Sequence, residues 1–307
     1  MLGDVLPYLR CPVCQAPLTT GDSAVRCDRG HSFDRARQGY VHLTHAPLDH
    51  TGDDAAMVAA RAAFLAAGHY DFITAALVDA VPRTAGLVVD VGAGTGYHLA
   101  AILDARADMV GLAVDVSKPA LRRAARAHPR VGAIVGAVWR GLPVADRAAA
   151  ALVNVFAPRN GPEFARMLAP DGMLVVVTPT VDHLGELVDA LGLLSVDPAK
   201  EERVAATLAP SFVPRGTTVH GRSLSLRRAE VSALVGMGPS ARHRDPDELA
   251  ARIARLPEPI VVTARVQVSR FALPDRRERD DPAAVGRGTQ GGLGGTPDGG
   301  QGPARGG

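Results

Sequence analysis

Cysteine is scarce in this chain of 307 residues, and all three cysteines fall within the first 27. An odd number confined to one short stretch argues against a disulfide framework and points to reduced thiols. Lysine is also scarce, arginine greatly outnumbering it, a bias that fits a GC-rich coding sequence better than a mechanism. Charge of one sign is missing as well: 34 basic residues face 32 acidic ones, so any basic surface must be local. No apolar run approaches the ~20 residues that span a bilayer. The first residues also lack the basic-then-apolar pattern of a signal peptide. The expectation is a cytoplasmic protein that does not enter a membrane. What is present is 47% hydrophobic residues, enough for one large domain and a small one.

The cysteines are spaced for a metal. Cys11-Pro-Val-Cys14 forms one knuckle, and Cys27 with His31 forms a second. Three sulfurs and one imidazole suit a closed tetrahedral zinc site, which can hold a segment too small for its own core. The other reading is three buried thiols and a surface histidine. Pro17 and Thr19 to Asp22 read as a turn, and Ala24 to Arg26 and His31 to Asp34 as short ribbon strands. Arg29, Arg35, Arg37 and Tyr40 then set basic side chains beside an aromatic. That mixture grips phosphates and unstacked bases, and it also occurs on a merely solvated strand edge.

The second informative stretch runs from Leu87 to Tyr97. An apolar run ends in Asp90 and is followed by Gly92, Gly94 and Gly96, the pattern of a buried parallel strand turning sharply into a helix. Glycines there admit a nucleotide-like ligand close to free helix-N-terminal amides, although a bare structural turn would read the same. Asp115 ends the next apolar run, 25 residues after Asp90, near the ~20-residue offset at which an acid meets ribose hydroxyls. Dinucleotide folds favour G-x-G-x-x-G, whereas the pattern here is Asp-x-Gly-x-Gly-x-Gly. It resembles the first motif of S-adenosylmethionine-dependent methyltransferases. That resemblance implies cofactor contacts from Asp90, Gly92, Gly94, Thr95, Gly96, Tyr97 and Asp115.

Around this turn the periodicity predicts a helix over 55–67 capped by Asp53-Asp54 and ended by Gly68, and a helix from His69 to about Ala80. Strands are predicted at Val131 to Val135, Ala148 to Phe156 and Met173 to Thr178, the last entered by a turn at Pro170-Asp171-Gly172. Trp139 lies in the loop after the third strand. A helix opened by Asp182-His183 follows, then helix, strand, a capped helix from Pro246 to Leu256, and a strand from Ile260 to Val268. The expected organisation is a zinc ribbon for RNA recognition over 1–45, a linker with helices over 46–83, an α/β Rossmann-like domain over 84–273, and a disordered Gly-rich tail over 274–307.

Several further motifs occur in a fixed order: Cys27 to Asp34 (Cys-Asp-Arg-Gly-His-Ser-Phe-Asp), Gln38-Gly-Tyr-Val41, Met57-Val-Ala-Ala-Arg61, Ala67-Gly-His-Tyr70 and Asp115-Val-Ser-Lys118. With them the chain resembles the 23S rRNA guanine-N1 methyltransferases from about Tyr8 to Val268. Leu152 to Asn160 and Thr178 to Leu194 look like the Gram-positive branch, which includes the tylosin- and mycinamicin-resistance enzymes. The resemblance implies methylation of a guanine in a domain II hairpin loop of 23S rRNA, a homodimer, cofactor contacts from Tyr70 and His183, and a role in macrolide resistance. Asn154 and Phe156, at the strand end facing the transferred methyl, are the candidates for holding the base by hydrogen bond and by stacking. Two other readings stay open: a non-catalytic zinc-ribbon RNA-binding protein, and a methyltransferase of small molecules.

Overall fold

The computed structural model of the chain describes residues 2–44, 48, 52–238 and 244–275. The tail expected to be disordered lies outside the described residues from position 276 on, as does part of the expected linker.

A short helix α1 (Leu2–Val5) precedes the ribbon strands β1 (Leu18–Thr20), β2 (Ala24–Cys27) and β3 (Ser32–Asp34), and β4 (Val41–His42) follows them. The turn predicted at Thr19 to Asp22 is shorter than expected, because Leu18 to Thr20 pair with Val25 to Cys27 as an antiparallel strand. Then come α2 (Ala55–Ala66), α3 (Asp71–Ala80), β5 (Gly86–Val91), α4 (Tyr97–Ala105), β6 (Met109–Asp115), α5 (Lys118–Ala124), β7 (Val131–Val135) and β8 (Ala149–Val155). The chain continues through α6 (Gly161–Met167), β9 (Leu168–Pro179), α7 (Gly185–Leu191), α8 (Lys200–Leu208), β10 (Val213–Leu226), α9 (Arg228–Gly236), α10 (Pro246–Ala254) and β11 (Ile260–Ala272). No described helix is long and apolar enough to cross a membrane.

Eight strands form one sheet in the order β10-β11-β9-β8-β5-β6-β7-β4. The pairs from β9 through β4 are parallel, and β11 and β10 add antiparallel strands at the far edge. From β5 the connection through α4 leads to one side and from β8 the connection through α6 leads to the other. The crevice beyond the carboxyl ends of β5 and β8 is therefore the switch point at which ligands gather in open α/β sheets. The sheet is apolar on both faces, as its continuous hydrophobic runs require. Val88, Ala113 and Val153 face the core under α2 to α5, α7, α9 and α10. Leu87, Val89, Leu112 and Leu152 face a second core shared with α1, the ribbon, α6 and α8.

Three local signals explain the helix starts on the ligand side. Asp54 accepts from the Met57 amide at the start of α2, and Ser117 accepts from the Ala120 amide at the start of α5. Gly96, at φ 75°, opens α4 in a left-handed conformation that other residues rarely adopt. The turn expected at Pro170 to Gly172 lies instead inside β9, where the chain bulges: Ala149 pairs with Leu168, but Ala151 pairs with Met173.

The amino-terminal residues are joined to the large sheet. Val5 sits so close to Gly132 of β7 that a Cβ there would lie 2.3 Å from it. Leu9 bridges Val144, and Val41 and His42 pair in parallel with Ile134 and Val135. Cys11, Leu18, Val25 and Cys27 belong to the same core as Val138, Leu142 and Val144. The ribbon thus borrows apolar partners from the large sheet's flank.

Candidate metal centre and active site

The ribbon's two knuckles are tight turns that aim their side chains at one point. The Gln15 amide donates to Cys11 O and the Gly30 amide to Cys27 O, so each knuckle closes on its first cysteine. Cys14 Sγ lies 3.7 Å from Cys27 Sγ, and His31 Nδ1 lies 3.3 Å from Cys27 Sγ and 3.6 Å from Cys11 Sγ. The four donor atoms all fall within 4.8 Å of one another. A tetrahedron with Zn–S near 2.3 Å and Zn–N near 2.0 Å has S···S edges of ~3.7 Å and S···N edges of ~3.5 Å, close to the spacings seen. Burial pushes the Cys27 thiol up, but hydrogen bonds from His31 and Arg29 outweigh it and bring the group down to about 7. The donor set fits zinc, with Nδ1 as the imidazole ligand.

At the crevice, Gly92 (φ 82°) packs so tightly on the loop after β8 that a Cβ would meet the Ala157 methyl at 2.3 Å. This glycine is required by its positive φ and by the Ala157 methyl packed against it rather than by a ligand. Gly94 is less crowded, a Cβ there touching only Arg61 Cδ at 3.5 Å, and its amide donates to Asp115 Oδ2 at 2.9 Å while the Ser117 amide donates to Oδ1 at 2.8 Å. Burial raises the Asp115 carboxyl above its ordinary value. Asp90 is wholly buried, and its Oδ1 has no partner among the described residues. Burial first and the Asp115 charge second push its carboxyl up to about 7.

Asp90, Gly92, Gly94, Thr95, Tyr97 and Phe156 line a small cavity of about 50 Å³. It shares Arg61, Tyr70, Phe156 and Met237 with a larger one of about 740 Å³. Two carboxylates, one orphaned, beside an open glycine turn suit a cationic amine and ribose hydroxyls, so the residues fit S-adenosylmethionine. Tyr97 lines the small cavity, but its hydroxyl donates to Asp71 Oδ1 at 2.5 Å and ties α4 to α3.

Tyr70, Phe156 and His183 meet over the larger cavity, with ring centroids 6.5, 6.2 and 5.9 Å apart for the pairs Tyr70–Phe156, Tyr70–His183 and Phe156–His183. His183 Nδ1 lies 2.8 Å from Arg265 O and 3.1 Å from the Arg265 amide nitrogen, which anchors the ring to β11, and its Nε2 is hydrogen-bonded to the Tyr70 hydroxyl at 3.3 Å. Burial holds the Tyr70 phenol far above its usual value, so it stays protonated. Phe156 is 40% exposed and sits at φ 52°. A non-glycine residue there costs about 1–3 kcal/mol, a strain that holds the ring out over the cavity.

Asn154 departs from expectation. It is fully buried, and its Nδ2 donates to Val91 O and Pro158 O, both at 3.0 Å. No amide proton is left for a base; the side chain instead pins the loop that carries Phe156. Tyr40 is buried too, at 8% exposure, which removes it as a stacking platform. Arg35 and Arg37 are exposed, with Arg35 also donating to Asp22 O. Trp139, 62% exposed, stands on the larger cavity's wall.

Sequence reasoning gave no role to Arg61, which faces both cavities. One terminal nitrogen bonds Asp53 Oδ2 (2.6 Å) and Met237 O (2.8 Å), while Nε is buried with no partner among the described residues. Its only trace in the sequence is its place in the Met57-to-Arg61 motif.

A parallel sheet in this order, with a glycine turn at its switch point and a four-donor ribbon ahead of it, defines a Rossmann-like methyltransferase carrying a zinc ribbon. The RlmA N-terminal zinc-ribbon family profile matches residues 9–50. A Micromonospora griseorubida protein with the provisional name 23S rRNA (guanine-N(1)-)-methyltransferase is 59% identical over 289 residues, covering 87% of this chain and 98% of its own. The Streptomyces fradiae 23S rRNA (guanine(748)-N(1))-methyltransferase is 53% identical, covering 84% and 94%. A provisionally named Bacillus subtilis relative is 33% identical, covering 58% and 66%. The chain belongs to the 23S rRNA (guanine-N1)-methyltransferase family.

Proposed function

We propose that the chain transfers a methyl group from S-adenosylmethionine to N1 of a guanine in a domain II hairpin loop of 23S rRNA. The observation that carries this reading is the strained Phe156 ring, held with Tyr70 and His183 over a cavity continuous with the glycine turn, in a chain so similar to rRNA guanine-N1 methyltransferases. S-adenosylmethionine, when bound, supplies an electrophilic methyl on a sulfonium. Asp90, Gly92, Gly94, Thr95, Gly96 and Asp115 would hold it with Tyr70 and His183, and Tyr97 would close the turn through Asp71. Phe156 stacks on the guanine and Asn154 fixes the loop behind it. Alignment of nucleophile, methyl and sulfur is the main task in such an in-line displacement.

The ribbon of residues 1–45 is the RNA-recognition element in this reading, with zinc on Cys11, Cys14, Cys27 and His31. Exposed Arg29, Arg35 and Arg37 contact phosphates, while residues 84–273 carry the chemistry and 46–83 connect the two. Two copies flanking one hairpin would form a homodimer, and a ribosomal substrate puts the reaction in the cytoplasm. Methylation of a base lining the peptide exit tunnel would give macrolide resistance of the tylosin and mycinamicin type. Radiolabelled S-adenosylmethionine offered with protein-free 23S rRNA, and separately with a macrolide, tests the reading. Label in the RNA is expected; label in the macrolide, or none in either, would overturn it.

A further inference from the structure

Among the described residues, Arg159 is the one half-buried arginine of the crevice whose guanidinium has neither a hydrogen bond nor an ion pair. It lies in the loop after β8, three residues beyond Phe156, and lines the larger cavity with Trp139 and Phe156. Its Nε is buried without a partner, and no hydrogen bond or ion pair of the guanidinium occurs among the described residues. Burial alone acts on it and pushes the group below its ordinary value. Other poorly exposed arginines each have partners for their terminal nitrogens: Arg61 meets Asp53 and the Met237 carbonyl, Arg166 donates to Glu163, Asp146 and the Leu142 and Val144 carbonyls, and Arg106 and Arg130 donate to backbone carbonyls. A desolvated cation without a counter-ion destabilises the free protein. Its position makes sense if a ligand brings the missing negative charge.

The cavity's other walls indicate which charge. Trp139, Phe156, Pro158 and Leu187 give it apolar walls on which a ring can rest, and Arg61, His183, Asp197 and Arg203 are the other charged or imidazole groups on its lining. A guanine ring becomes anionic at one point in the reaction, when N1 has lost its proton and the charge is shared with O6. Resting on the N1-methylation reading above, we propose that Arg159 is a catalytic residue: its guanidinium donates to O6 of the target guanine and stabilises the deprotonated ring. The N1 proton leaves to water. The freed N1 electron pair then forms the bond to the methyl carbon as the carbon–sulfur bond breaks and its pair stays on sulfur. A sulfonium cation and a neutral guanine thus give a neutral thioether, N1-methylguanine and one proton. A fixed donor in a water-poor cavity is the arrangement that stabilises developing charge most strongly.

The test is single-turnover methylation of a 23S rRNA hairpin fragment, saturating in RNA and S-adenosylmethionine, across roughly pH 6 to 9. Arg159→Gln should lose roughly a hundredfold at neutral pH, the scale of one lost oxyanion donor. The deficit should narrow as pH rises, because solvent then removes the N1 proton unaided. Arg159→Lys should lie between, and both variants should keep the wild-type affinity for S-adenosylmethionine, which also reports that they fold. A deficit constant with pH would overturn the proposal. So would lost RNA affinity with a shallower salt dependence, the mark of a phosphate contact, or lost cofactor affinity, the mark of a cofactor contact. Wild-type protein that leaves guanine N1 unmethylated would instead refute the proposed function.

Discussion

The ribbon and the carboxyl end of the large sheet treat their polar atoms in opposite ways. In the ribbon, three sulfurs and an imidazole converge on one another, and the knuckle amides are paired. At the sheet end, Arg61 Nε, Asp90 Oδ1, Asn154 Oδ1 and Arg159 Nε are all buried without partners. Among the described residues a single further side-chain atom shares that condition, Nε of Arg106, one of whose terminal nitrogens reaches the Val78 and Val81 carbonyls. Each orphan costs about 1–3 kcal/mol, which the apolar sheet beneath can bear and a three-stranded ribbon could not. A module built for structure completes its polar pairing within itself or with a metal. A module built for ligands leaves the pairing open.

Loss of the metal should break this comparison most severely. Chelation, or Cys14→Ser, removes a closure worth on the order of 10 kcal/mol in small zinc modules. Because Cys11, Leu18, Val25 and Cys27 share a core with Val138 and Leu142, the thermal transition of the whole chain should fall, not only that of the ribbon. Metal analysis with calorimetric melting checks it; a metal-free wild-type protein that melts unchanged would refute the zinc assignment.

Asp90 gives the next largest effect, with a pH signature. Its carboxyl is raised to about 7 from an ordinary 3.8, so the folded chain binds this proton more tightly than the unfolded chain does. The stability it contributes is full below the unfolded value and is lost as pH rises through about 7. Asp90→Asn keeps the shape without the charge. It should stabilise the cofactor-free protein by roughly 2–4 kcal/mol near pH 8 but little near pH 4, and it should weaken S-adenosylmethionine binding. Denaturant melts at the two pH values measure the difference; equal gains at both would contradict a buried ionised carboxylate.

Asp115→Ala should weaken cofactor binding by roughly 1–3 kcal/mol, as for a lost charge-assisted hydrogen bond to a ribose, and leave RNA binding alone. Titration calorimetry decides, and undiminished affinity would take Asp115 out of the site. The smallest effect belongs to the ribbon's surface. Arg35→Ala with Arg37→Ala should reduce rRNA affinity and flatten its salt dependence by about two counter-ions, with cofactor affinity intact. An unchanged slope would make the ribbon a structural appendage.

The chemistry that needs fixed residue types at fixed spacing was legible in the chain. The Cys11, Cys14, Cys27 and His31 knuckles, the glycine turn and the alternation of strand and helix around it all follow from local geometry. What escaped depends on contacts between distant segments. Nothing near Asn154 in sequence says that Val91 O and Pro158 O take both its amide protons, and nothing near Arg159 says that its Nε will be buried with no partner among the described residues. Tyr40 reads as an exposed aromatic until β4 joins the large sheet beside β7 and draws it under cover. The bulge that carries Pro170 to Gly172 within β9 likewise exists only against β8.

The central claim is that the open polar atoms at the sheet end receive a cofactor and a guanine. Mass mapping of 23S rRNA fragments after incubation with the protein and S-adenosylmethionine tests it most directly, supported by reverse transcription, which halts where N1 is blocked. Expected is one added methyl, on N1 of one guanine in a domain II hairpin loop, absent without enzyme and strongly reduced with Arg159→Gln at neutral pH. Unmodified rRNA, or a methyl on another atom of the base or on ribose, would contradict it.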